Sequence, residues 1–368
     1  MPISRHYLCP KNTSPLFWTL TAGRRLSELW VGFPASPAWP CCPSKSAVAV
    51  LQAESMKRVI IDTDPGIDDA AAIFLALGSP EFQVDALTTV FGNTAVEQCT
   101  VNALRILEAA GRADIPVYQG SGRPFNFGAP EFAEYIHGSD GLGDAGLPAP
   151  SVEVRDENAV IKIVQSVMDA TGEITFVALG RLTNLALAIS VEPRVASSLA
   201  EVVVMGGAVT VPGNVSMVSS ANLWGDPEAA DVVYRSGASV VQVGLDVCNK
   251  VEISAEQLSR VWAARTPVSE LMEKATPFIQ KAYAERGREM RPGAVKYNDV
   301  PAMSYAIDPT LFETRHLYVR IAIGNELTRG QTLADLDGQT GEQPNTLVAL
   351  DVDGARLSEM WAERVSAL

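Results

Sequence analysis

From Lys57 onward, short runs rich in β-branched residues alternate with stretches of helical spacing. VIID (59–62), VDALTTV (84–90), ITFVAL (174–179), EVVVM (201–205), VVQVGL (240–245), LYVRIAI (317–323) and TLVALDV (346–352) read as strands. They are continuously apolar, as strands covered on both faces should be. Between them, helices are predicted over 68–77, 94–111 with Gly111 at its end, from 184, from Ser254 with the S-A-E-Q capping pattern, over 266–287 and near 355–366. Alternation of this kind predicts one large α/β domain with a mostly parallel, Rossmann-like open sheet and helices on both faces. Right-handed crossovers then bring the loops at the carboxyl ends of the strands to one edge, where ligands bind.

Residues 1–55 break the pattern. They hold seven prolines and no lasting apolar period, and five basic against two acidic residues give them +3. The apolar run after Arg24–Arg25 is interrupted by Glu28, so it does not read as a signal peptide. We expect 1–55 to be a disordered extension or an upstream start, with Met56 the working one, and 56–368 to be the catalytic domain. No apolar run is long enough to span a membrane.

The whole 368-residue chain carries a formal charge of −14, leaving −17 for the remainder. That excludes general nucleic-acid or anionic-membrane binding, which needs an excess of Lys and Arg. A small neutral ligand remains open. Cys99 and Cys248 are the only cysteines after residue 42 and form no metal-ligand spacing, which fits a reducing, cytoplasmic setting.

The chemistry concentrates in VIIDTDPGIDDAAAIF (59–74), where Asp62, Asp64, Asp68 and Asp69 flank a Pro-Gly turn. Two such charges about 4 Å apart repel by roughly 4 kcal/mol even at an effective dielectric near 20. A hard cation with oxygen ligands, Ca²⁺ or Mg²⁺, would suit the cluster. Alternatively, Asp68 and Asp69 only complement a helix N-terminus. An EF-hand fails because its twelfth loop position is Ile73. A haloacid-dehalogenase-type phosphatase would want Thr or Val where Gly66 stands.

DTDPGIDDAAAI resembles the signature of the inosine–uridine-type nucleoside hydrolases. FGN (91–93), IHG with GLG (136–143), LGRLTNLALA (179–188), MGGA (205–208), GN (213–214), NLWGDPEAA (222–230), Asp299, TRGQT (328–332) and TGEQPNTLVALDVD (340–353) follow in that family's order. The resemblance implies the nucleoside hydrolase fold and Ca²⁺-dependent hydrolysis of a ribonucleoside N-glycosidic bond, with metal-bound water as nucleophile. It implies Asp64, Asp69, the Leu179 carbonyl and Asp299 as metal ligands, with Asp64 also the general base. Asp68, Asn93, Asn214, Asn222 and Asn298 fall at substrate positions, and His137 is the one histidine placed to act on the base. Asp62 would support the ligands from behind, and Tyr135, Trp224 and Tyr297 could stack on a base. Three positions depart from the family pattern: Arg181 replaces Pro, Ser220 replaces a sugar-contacting Glu, and Asn298 replaces a His that protonates the leaving base. A non-catalytic nucleoside-binding module is the alternative those changes would allow. A homodimer or homotetramer is implied, with no nucleic-acid or membrane partner.

Overall fold

A computed structural model describes residues 56–368 apart from 127 and 325, so the expectation for 1–55 lies outside the described residues. The strands are β1 (Lys57–Thr63), β2 (Phe82–Thr89), β3 (Val117–Gln119), β4 (Ile174–Ala178), β5 (Glu201–Met205), β6 (Val240–Val243), β7 (Phe312–Leu317), β8 (Val319–Ile321), β9 (Thr332–Ala334) and β10 (Thr346–Val352). Eight of them form one sheet in the order β3-β2-β1-β4-β5-β6-β10-β7, parallel except where β7 runs against β10. The α/β class and the mostly parallel open sheet are as the hydrophobic pattern predicts.

Successive strand residues face opposite sides, and each side is roofed by helices. Val59, Ile61, Val177, Val203 and Val241 pack toward helices Ile67–Leu77, Pro267–Glu285, Val300–Ile307 and Gly354–Ser366. Ile60, Phe176, Val202, Val204 and Val240 pack on the other side with helices Ala159–Asp169, Thr183–Val191 and Pro227–Tyr234. Both layers are built of fully buried apolar side chains, and the indole of fully buried Trp361 donates to the Ala71 carbonyl at 3.0 Å.

One predicted strand is corrected. LYVRIAI (317–323) does not form a single strand: Leu317 ends β7 opposite Thr346, and Val319–Ile321 leaves the sheet to pair antiparallel with β9. The break falls where β10 begins: Thr346 is the last partner of β7, so from Tyr318 on the chain has no strand of that sheet beside it and pairs with β9 instead.

The sheet order reverses between β1 and β4. Crossovers from β1 run outward through β2 to β3, while those from β4 run through β5 to β6. The two strands pair in register from Arg58↔Ile174 to Asp62↔Ala178, and the Leu179 amide donates to the Asp62 carbonyl at 2.8 Å. Their carboxyl ends thus diverge into loops pointing apart, which opens a crevice there.

Candidate active site

The aspartate turn sits in that crevice. Asp62 and Thr63 close β1, and Gly66 leads into helix Ile67–Leu77. The turn is held by its own polar groups. The Gly66 amide donates to Asp69 Oδ2 at 2.9 Å, Thr63 Oγ1 donates to Asp69 Oδ1 at 2.5 Å, and the Asn93 amide donates to Asp64 Oδ2 at 2.8 Å. Asn93 Nδ2 reaches both the Asp64 carbonyl, at 3.0 Å, and Asp69 Oδ2, at 2.9 Å. A Cβ on Gly92 would collide with the Asp64 carboxylate, so the 91–93 turn closes this tightly only with glycine there.

Asp64, Asp68, Asn93, His137, Leu179, Asn214, Asn222, Asn298 and Asp299 all line one cavity of about 270 Å³. Asp69 lies beneath its floor: one carboxylate oxygen from each of Asp68, Asp69 and Asp299 falls within 4.8 Å of the others, all three buried. This trio could bind a metal. Burial pushes the carboxyls of Asp64 and Asp299 well above their usual range, and neighbouring aspartate charges push in the same direction. Burial raises Asp68 to about 6 and, with the Asp68 charge, raises Asp69. Asp68 Oδ1 is buried with no hydrogen-bond partner. Buried carboxylates that repel one another and retain an unused lone pair are the donor set a hard cation needs.

Asp62 stands behind the others. Its Oδ1 accepts from Thr88 Oγ1 at 2.5 Å and Asn184 Nδ2 at 2.8 Å, its Oδ2 has no partner, and burial raises its carboxyl to about 7. His137 ends the short helix Glu134–His137, and its Nδ1 accepts the Ile67 amide hydrogen at 3.2 Å. Burial lowers its pKa to about 4, so at neutral pH the ring is uncharged and carries its proton on Nε2.

The asparagines divide. Asn222 Nδ2 donates to the carbonyls of Leu179, at 2.5 Å, and Met205, at 3.1 Å. Asn214 Oδ1 accepts from the Ala221 amide at 2.9 Å, a loop cap as well as a cavity wall. Asn298 donates to the Tyr283 hydroxyl at 3.0 Å, while its own Oδ1 is buried and unpartnered. Ser220 Oγ accepts from the Gly207 amide at 2.7 Å and so is tied to the backbone.

Two of the three aromatic expectations fail. Tyr297 is core: it packs on Trp361 with ring centroids 5.4 Å apart and shares a 2.7 Å hydrogen bond with Thr276. Trp224 is absent from the cavity wall and donates to Glu131 Oε2 at 3.3 Å. Tyr135 does line the cavity, beneath the Arg286 guanidinium at 4.2 Å. Sequence reasoning passed over Tyr283, Arg286 and Arg288, which also line it. Tyr283 falls on the same apolar stripe as Ile279, and nothing in that spacing separates a cavity wall from core.

Residues 59–359 match the family of inosine-uridine preferring nucleoside hydrolases. The chain belongs to that family. It is therefore a nucleoside hydrolase, and neither the phosphatase nor the binding-module reading stands. Among its relatives, a probable uridine nucleosidase 2 of Arabidopsis thaliana is 37% identical over 84% of this chain and 97% of its own length. A pyrimidine-specific ribonucleoside hydrolase of Salmonella typhimurium is 34% identical over 83% and 97%. A solved plant nucleoside hydrolase superposes with a TM-score of 0.81 at 36% identity, covering 85% of this hydrolase and all of that chain (100%). A purine-preferring ribonucleoside hydrolase from Gardnerella vaginalis gives 0.80 at 32%, covering 84% and 98%. Among the described residues of this nucleoside hydrolase, no helix is long and apolar enough to cross a membrane.

Proposed function

We propose that this nucleoside hydrolase cleaves ribonucleosides to ribose and free base with Ca²⁺ as its cofactor, and that uridine is among its substrates. What carries the reading is the meeting of Asp68, Asp69 and Asp299 under the floor of a cavity that Asp64 also lines. Two of that trio, Asp69 and Asp299, would hold the ion together with Asp64 and the Leu179 carbonyl, while Asp68 beside them would face the sugar. Asn222 would have to release that carbonyl and turn to the sugar. When bound, the ion supplies an oriented sugar diol and a water of lowered pKa.

The chain's own groups do the rest. Asp64 Oδ2 is engaged by the Asn93 amide, which leaves Oδ1 to take the proton from the attacking water. The unpartnered Asp68 Oδ1 is free to accept from a ribose hydroxyl, and that bond strengthens as the sugar becomes oxocarbenium-like. Asn93, Asn214 and Asn222 frame the sugar from the remaining sides, and Asn298 contributes an amide oxygen. His137, a neutral ring at neutral pH, offers its Nε2–H as a hydrogen bond to the leaving base, and the proton that the base keeps comes from solvent. The name of the Arabidopsis relative supports uridine, and the all-oxygen donor set supports a hard cation, of which Ca²⁺ is the one the family resemblance implies. Homodimer or homotetramer assembly and a cytoplasmic setting complete the proposal; the two buried free thiols agree with the latter.

The test is a panel of nucleosides incubated with and without chelator and assayed for reducing sugar. Release that chelator abolishes and calcium restores is expected. Release indifferent to chelator removes the metal from the reading, and light scattering checks the assembly.

A further inference from the structure

Arg181, at the head of the loop after β4, is a buried cation: only 7% of it is exposed. Its guanidinium carbon lies 4.3 Å from the centroid of the Phe91 ring, and Nη2 donates to the Glu131 carbonyl at 2.5 Å. A Cβ on Gly225 would overlap its Nε, so the arm crosses that residue. Nη1 is buried with no hydrogen-bond partner. The carboxylates whose charge it feels most are Asp64, Asp226 and Glu131. A buried guanidinium held by a ring and a carbonyl is a costly arrangement, so its connections are informative.

One connection is a strap. Residues 131–137 run from the tethered Glu131 to Ala133, Tyr135, Ile136 and His137 on the cavity wall and end in the short helix that carries Tyr135 and His137. Glu131, Phe132, Glu134 and Tyr135 are exposed, so the strap depends on its tethers. The Phe125 amide donates to Asp226 Oδ2 at 2.7 Å, Trp224 Nε1 to Glu131 Oε2 at 3.3 Å, the Ala133 amide to the Asn93 carbonyl at 3.0 Å, and Arg181 to the Glu131 carbonyl. The other connection is the 91–93 turn, whose Phe91 ring receives the guanidinium and whose Asn93 holds Asp64 and Asp69.

We propose that Arg181 is a positioning residue with two separable effects: its fork pins the Glu131 strap against the Phe91–Asn93 turn so that His137 faces the leaving base, and its charge weakens metal binding by the aspartate cluster. The proposal rests on the hydrolase reading of this cavity. A like charge within several ångströms of a divalent ion weakens its binding by Coulomb repulsion, on the order of tenfold at the dielectric of water.

Calcium chloride is titrated calorimetrically into chelator-stripped protein, and cleavage after Glu131 or Glu134 by a glutamate-specific protease is timed, for wild type, R181M, R181K and W224F. Arg181→Met should bind calcium about tenfold tighter, as one charge implies, yet lose strap protection. Arg181→Lys should keep the wild-type calcium affinity but also lose protection, because an ammonium cannot both stack on Phe91 and reach Glu131. Trp224→Phe should loosen the strap without changing calcium affinity. In R181K, kcat should fall by a larger factor than KM rises. Calcium affinity in R181M no tighter than wild type, or strap cleavage in R181K no faster than wild type, overturns the proposal. If R181M does not fold, R181K decides alone: strap protection retained in it refutes the proposal. A wild type that binds calcium but hydrolyses no nucleoside defeats the hydrolase reading instead, and the calcium and protease readouts still judge Arg181.

Discussion

Raising the pH of the metal-free protein from 5 to 8 should make it easier to unfold, with Asp62 supplying a large share of the slope. Its carboxyl titrates at about 7 in the folded chain against 3.8 when unperturbed. The folded state therefore holds the proton more tightly, and the resulting stability is complete below the unfolded value and is lost as pH climbs through the folded one. A shift of about 3 units at ~1.4 kcal/mol each amounts to ~4 kcal/mol over the whole window. Asp64, Asp68, Asp69 and Asp299 are shifted in the same direction. His137, lowered to about 4, opposes them, since its contribution is present above its unperturbed 6.5 and is lost as pH falls. The variant D62N isolates Asp62: its Oδ1 keeps Thr88 and Asn184, and an amide replaces the unpartnered oxygen. The buried amide costs roughly 1–3 kcal/mol, but by the same amount at every pH. Denaturant unfolding of both proteins in chelator at pH 5, 6, 7 and 8 should show D62N gaining on wild type by a few kcal/mol as pH rises. A difference that stays constant across that range refutes the assignment of a buried, protonated Asp62.

Asp64→Asn should lower kcat by about 10²–10⁴ while the calcium-free fold persists, as expected for loss of a general base, measured by steady-state base release. His137→Asn should lower kcat in the same manner, and wild-type kcat should show no acidic limb near pH 6.5, because the ring is already neutral well below that. Asn298→His should raise turnover on nucleosides with poor leaving groups; unchanged turnover means that the leaving base does not take its proton through position 298. Trp361→Phe removes the indole hydrogen bond to Ala71 and should cost about 1–3 kcal/mol in denaturant unfolding.

The sheet could be read from the chain because its strands are buried on both faces, and the aspartate turn because Pro-Gly forces four carboxylates into one loop. Asp299 needed the family's motif order, since no local spacing links it to residues more than two hundred positions earlier. Helix Ala159–Asp169 had a legible signal that was passed over: Asn158 caps it, accepting the Val160 amide hydrogen at 2.9 Å, and Ile163 and Val167 are spaced four apart. β3 has only three residues after Pro116, too few for periodicity to register. The Tyr318 break was hidden because a strand's end depends on its partners, and β7 and β8 have different ones. Arg288 reaches the cavity wall from beyond helix Pro267–Glu285, with its guanidinium 4.6 Å from the centroid of the Tyr283 ring; only tertiary folding brings it there.

The indole of Trp361 clasps the helix that carries Asp68 and Asp69 from 290 residues downstream, and Arg364 beside it grips Ser79 and Glu81 just past that helix. A ribosome makes the aspartates some 290 residues before their clamp. The nascent chain thus holds an acidic helix without its backing until Trp361 has left the ribosome, and chains truncated before Trp361 should lack the activity of those that include it.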